Sequence, residues 1–149
     1  MGTRALTRFF DEDGTEIVTM YSQWDGGPEA HGVELATFLD SLTVGNGYSG
    51  EGREANGAGD VAALCIWHFK TLSERALARD DDGLHFYRDH AKWPVGGFYL
   101  YPPGTSDVDE EYVYLVGTKP LTIDIAGSYV DPPTACTPTE FIERYARTD

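Results

Sequence analysis

The chain has 149 residues, 41% hydrophobic and 24% charged, which is the size and make-up of one ordinary globular domain and argues against wholesale disorder. Its formal net charge is −14, so a basic phosphate-binding face is not expected, and with it no nucleic-acid partner. The longest apolar run, residues 61–67, falls well short of the roughly 20 residues of a spanning helix, so no membrane partner is expected either.

The opening Met-Gly-Thr-Arg-Ala-Leu lacks the apolar core of a secretory signal, and Leu6 stands where an N-myristoylation signal requires Ser or Thr. Two cysteines, Cys65 and Cys136, are too few for a disulfide framework or a thiolate zinc site. A reducing cytoplasm is the expected setting. The charge is uneven: no Lys or Arg occurs among residues 9–52, while nine acids do, and six of the eleven basic residues fall within 53–92. Two readings follow, a solvated acidic surface that keeps the protein soluble and an acidic face that docks on a basic partner.

Residues 3–10 and 15–23 are rich in β-branched and aromatic side chains and flank Asp11-Glu12-Asp13-Gly14, which predicts a β-hairpin. A calcium loop beginning at Asp11 is excluded, because its sixth and twelfth positions hold Glu16 and Ser22 instead of Gly and Glu. Residues 24–28 break the strand. Leu35, Phe38, Leu39 and Leu42 then recur at helical spacing and predict a helix over 31–44. Residues 45–59 carry six glycines and read as a flexible loop ending at Asp60, the expected N-cap of a second helix. That helix is expected to bury Ala62, Cys65, Ile66, Phe69, Leu72 and Ala76.

Residues 80–83 read as a turn, 84–91 as a short helix or strand, and 93–97 as irregular. Residues 98–101, 111–116 and 121–125 predict three strands. Thr137, Pro138 and Glu140 spell a capping box with Pro at the first helical position, followed by an apolar face of Phe141, Ile142 and Tyr145. The expectation is a single α+β domain over residues 1–149, with a mostly antiparallel sheet of about five strands and about three helices on one face.

Gly45-Asn46-Gly47-Tyr48-Ser49-Gly50 matches G-x-G-x-x-G but follows a helix where the dinucleotide fingerprint follows a strand. Asp60 would also oppose a phosphate at the next helix. His68, beside the stripe of the second helix, reads as a satisfied, partly buried histidine. His85 and His90 are five apart and lie on different faces of a helix, which does not suit zinc. There is no G-x-S-x-G elbow. No catalytic residue, metal or cofactor is therefore expected.

The densest polar-aromatic cluster lies in residues 21–32. Trp24 offers a stacking surface, Asp25 an acceptor, and His31 a group that titrates near neutral pH. Each also has a structural reading, Asp25-Gly26 as a turn and Trp24 as a plug at the core edge. Residues 99–112 mix tyrosines with carboxylates, as a recognition surface or as a long hairpin connection with a charged tip.

Several stretches together resemble a family of small uncharacterised bacterial and phage proteins. They are the opening Met-Gly-Thr-Arg-Ala-Leu, Tyr21 to Gly32 with its Trp-Asp-Gly-x-Pro-x-x-His-Gly pattern, residues 62–70, and residues 97–114 with Tyr-Leu-Tyr-Pro-Pro-Gly-Thr and Glu-Glu-Tyr-Val-Tyr. The opening and the Asp-Gly-x-Pro run also resemble some fungal proteins of unknown role. Gly27 departs from the pattern, which has an aromatic residue there. The resemblance implies no activity.

These readings converge on a phage- or prophage-type accessory protein that binds a small ligand. Arg4, Trp24, Asp25 and His31 are expected to line the site, joined by Tyr21, Tyr101 and Glu111 if the two strand-end loops converge. Arg4 would pair with an anionic group or with Asp25. Tyr48 would anchor the glycine-rich loop as a lid. One alternative is an acidic protein that binds and inhibits a basic host factor. Another is a hydrolase using Asp25 and His31 as an acid-base pair.

Overall fold

β1 (Ala5–Phe10) and β2 (Glu16–Ser22) form the expected antiparallel hairpin. Gly14, at φ +85, makes the turn between them, and the Asp11 N–H donates to the Thr15 carbonyl at 2.8 Å. The computed structural model describes residues 3–45, 47, 49–50, 52–78, 96–127 and 136–146. The expectations for residues 80–91 and 93–95 lie outside the described residues.

The hairpin occupies the middle of a five-stranded sheet with β5 (Phe98–Tyr101), β6 (Tyr112–Thr118) and β7 (Leu121–Gly127). The strand order is β5-β2-β1-β6-β7, and every pairing is antiparallel except β1 with β6. The fold is α+β, with three α-helices among the described residues: α1 (Val33–Asp40), α2 (Gly57–Ala78) and α3 (Pro138–Tyr145).

Period-two alternation sends Ala5, Phe9, Met20, Phe98, Tyr114, Val116, Ile123 and Ile125 to one face of the sheet. There they form one core with Leu35, Leu39, Val61, Ala62, Cys65, Phe69 and Phe141 of the helices. Cys65 is the core residue expected of it, and burial pushes its thiol well above the usual range. The capping box of α3 is present in full: the Thr137 hydroxyl accepts from the Glu140 N–H, and the Glu140 carboxylate accepts from the Thr137 N–H.

Three expectations need correction. The helix expected over 31–44 begins earlier and ends earlier. A single π-helical turn, Pro28–Gly32, starts it and α1 stops at Asp40, so that Thr43–Gly45 becomes a short strand, β3. The glycine-rich loop does not run unbroken to Asp60. Residues Glu54–Asn56 form β4, parallel to β3, and α2 starts at Gly57. Asp60 lies inside the first turn of α2 and accepts from the Asn56 N–H at 2.8 Å, so it satisfies a helix-start donor from within.

The third correction concerns residues 102–111, expected as a hairpin connection. β5 and β6 are not neighbours, because β2 and β1 lie between them. The segment is a crossover running over the sheet face opposite the helices. The polar network holding it was not anticipated. Arg8 donates to Glu16 at 3.3 Å and to the Thr105 carbonyl at 2.7 Å. Glu16 also accepts from the Thr19 hydroxyl at 2.5 Å and the Gly104 N–H at 2.7 Å. Beneath this cover Leu6 and Thr19 are fully buried.

Candidate functional site

The chain leaving β2 is tied to the start of β5 by the Gln23 N–H, which donates to the Gly97 carbonyl at 2.8 Å. Trp24 follows and lays its ring against Gly97. A Cβ at Gly97 would stand 2.4 Å from the ring, and Gly97 has φ +88, so this contact needs glycine. The indole remains 48% exposed. Trp24 thus covers backbone on one side and faces solvent on the other.

Asp25 takes φ +55 and accepts from the His31 N–H through its carbonyl at 3.1 Å. Gly26 donates to the Thr3 carbonyl at 2.9 Å and packs so tightly that a Cβ would meet Ala5 and Thr3 at 2.8 Å. Its own carbonyl accepts from the Tyr114 hydroxyl at 2.6 Å. The loop is therefore fixed by its backbone.

The π-helical turn throws His31 inward, where it is 4% exposed. Nε2 lies 3.1 Å from the Thr7 hydroxyl and Nδ1 3.5 Å from the Ser22 hydroxyl. The ring stacks on Phe69 at 4.5 Å and tilts against Tyr114 at 5.1 Å. Desolvation pushes its pKa down from 6.5 to about 3. His31 does not titrate near neutral pH as expected; it is a neutral core group. Both ring nitrogens are directed to hydroxyls, while Asp25 meets His31 through main chain alone.

Arg4 and Glu111 come together through backbone, the Glu111 N–H donating to the Arg4 carbonyl at 2.9 Å. Among the described residues no ion pair joins Arg4 to Asp25. Tyr48 lies outside the described residues.

Tyr21 and Tyr101 are brought together, around a third residue, Tyr99, which was read as part of the 99–112 stretch but not expected in the site lining. Tyr99 stacks on Tyr21 at 4.7 Å between ring centroids and meets Tyr101 edge-on at 5.5 Å; Tyr21 and Tyr101 stand edge-on at 6.0 Å. The Tyr21 hydroxyl donates to Gln23 at 2.8 Å. Tyr99 is 43% exposed, and desolvation, then Tyr101 and Tyr21, push its hydroxyl up to about 12. Leu100, on the other face of the same strand, is 50% exposed. The signal was available in Phe-Tyr-Leu-Tyr, an uncharged strand whose position at the sheet edge the sequence does not reveal.

The expected cluster is thus divided. His31 belongs to the helix-covered face, the three tyrosines to the opposite face, and Trp24 to the corner where β2 hands over to β5. His68 is the satisfied histidine expected, paired with Glu34 at 2.9 Å and stacked on Phe38 at 4.2 Å. Among the described residues there is no group of three or more His, Cys, Asp or Glu side chains able to hold a metal ion, and no helix long and apolar enough to cross a membrane. Comparison with family models, with curated proteins and with solved structures finds no match.

Proposed function

We propose that the protein is an acidic interaction module that binds a basic partner through the aromatic edge made by Trp24, Tyr99, Leu100 and Tyr101. The observation that carries this reading is the exposure of Trp24, Tyr99 and Leu100 around one end strand of the sheet, in a chain of net charge −14. Tyr and Trp are the residues that most often dominate binding energy at interfaces. Their ring faces attract Arg and Lys side chains. The acidic surface adds a longer-range attraction that salt screens.

The stack of Tyr21 beneath Tyr99 favours a contact surface as well. It holds Tyr99 in one orientation before any partner arrives, which lowers the ordering cost of binding. His31 contributes by position only, fixing the loop that carries Trp24. The small-ligand reading with His31 in the lining is less favoured, because its imidazole is enclosed.

Fluorescent peptides of matched length, one arginine-rich and one glutamate-rich, test the reading by anisotropy titration. The arginine-rich peptide should bind, and high salt should weaken it. Tyr99→Ser and Trp24→Ser should each cost about tenfold in affinity. Equal affinity for both peptides, or no effect of either substitution, would overturn the proposal.

A further inference from the structure

We infer that the basic partner adds to the sheet as a strand along the outer edge of β5, with cationic residues at alternate positions. This deepens the reading above and rests on it. Among the described residues β5 has a hydrogen-bonded strand neighbour on one side only, β2. The opposite end of the sheet is treated differently. There the chain returns so that Cys136 and Ile123 exchange both backbone hydrogen bonds, at 2.9 and 3.0 Å, and part of the β7 edge is covered.

Sheet edges are usually blunted by being very short, by charged side chains, by proline or by a bulge, and of these β5 has its shortness, at four residues. Phe98–Tyr101 contains no charge and no proline. Pro102 and Pro103 follow directly, and residues without an N–H end any ladder at that point. The edge is therefore short and has a defined stop, which suits one added segment better than open-ended stacking.

The register specifies the pattern of the occupant. Tyr99 lies opposite Tyr21 and Tyr101 opposite Thr19 on one face, while Leu100 lies opposite Met20 on the other. Side chains of an added strand alternate in the same way. Residues beside Tyr99 and Tyr101 would lie on the tyrosine face, where ring faces and the acidic chain favour cations. The residue between them would lie beside Leu100 and favours an apolar side chain. A second copy of this chain fits poorly, because two molecules of net charge −14 repel.

Three synthetic peptides separate the possibilities: alternating Arg and Val, the same composition arranged as an Arg block and a Val block, and the alternating peptide with N-methyl groups along one edge. Affinity is read by titration, and the contact by amide chemical shifts of Gly97 to Tyr101. The inference expects the alternating peptide to bind about tenfold tighter than the block peptide, N-methylation to abolish that advantage, and shifts to concentrate on β5. Leu100→Lys should remove the preference for alternation while leaving the melting temperature unchanged, since Leu100 is exposed. If both orders bind equally and N-methylation has no effect, the strand inference is overturned while the interaction reading stands. If neither peptide binds, both are overturned. Dimerisation at high salt that shifts the same amides, without peptide binding, assigns the edge to a second copy and also overturns the inference.

Discussion

Thr7 and His31 are joined by a 3.1 Å hydrogen bond beneath the helices, and that bond makes an imidazole part of the core. The Ser22 hydroxyl approaches the other ring nitrogen at 3.5 Å, and Phe69 and Tyr114 enclose the ring. No carboxylate is among the partners of the two ring nitrogens, so nothing offsets the cost of charging the ring where it lies.

Stability should therefore fall in acid. Burial lowers the folded-state pKa of His31 from 6.5 to about 3, so between those values the unfolded chain holds a proton that the folded chain does not. The contribution is fully present above the unfolded value and is lost as pH falls toward the folded one. Near pH 4.5 the loss amounts to about 2–3 kcal/mol relative to neutral pH. Urea unfolding across a pH series measures it, and His31→Gln should flatten the slope. An unchanged slope in that variant would place the proton uptake elsewhere.

Thr7→Val keeps the shape of the buried side chain and removes the hydroxyl from His31 Nε2. Leaving a buried ring nitrogen without its partner should cost about 1–3 kcal/mol. Denaturant melts at neutral pH give the value, and a change within error of zero would show that the bond contributes nothing net.

Gly32→Ala should be destabilising by overpacking. A Cβ there would stand 2.8 Å from two atoms of the Phe141 ring and 3.0 Å from Tyr114, both in the core. The expected cost is about 1–3 kcal/mol. Pairing it with Phe141→Leu, which makes room, should recover part of the loss, and thermal melts of the single and double variants decide the point.

The crossover over the sheet should loosen when its anchor is removed. Glu16→Ala deletes the acceptor shared by Arg8, Thr19 and the Gly104 N–H. It also leaves the Arg8 guanidinium without its carboxylate, with the side chain only 15% exposed. Faster amide exchange at Gly104 and a global cost of about 2–3 kcal/mol are expected. Exchange that speeds equally throughout the sheet would mean that the network supports the whole fold.

The local signals in the chain were readable where one segment determines its own structure. Gly14 between two β-branched runs marked the hairpin, and Thr137-Pro138-Thr139-Glu140 marked the start of α3, because turn and cap chemistry are decided within four residues. The strand predicted over residues 121–125, where Leu121, Ile123 and Ile125 fall on one side of β7, is equally local. What escaped was anything decided by strand order. Tyr99 and Leu100 stand exposed because β5 is the end strand of the sheet among the described residues, and residues 102–111 form a crossover because β2 and β1 intervene. His31 was misread for the same reason. A histidine beside Asp-Gly resembles a surface group until Thr7, Ser22 and Phe69, from three other parts of the chain, close around it. Asp60 failed more simply, since Gly57, at φ +84, starts the helix one turn sooner.

The parallel pairing of β1 with β6 has a consequence for how the molecule comes into being. Ala5 to Phe9 lie against Tyr112 to Val116, so the sheet's middle strand lacks one of its two neighbours until Tyr112 to Val116 have also left the ribosome. The hairpin of β1 and β2 can pair early, but alone a two-stranded ribbon is marginal in water. Its apolar row of Ala5, Phe9 and Met20 would meanwhile face solvent or a chaperone. Folding of this chain should thus be late and all at once, and nascent chains stopped before Tyr112 should remain sensitive to protease while those extended past α3 become resistant.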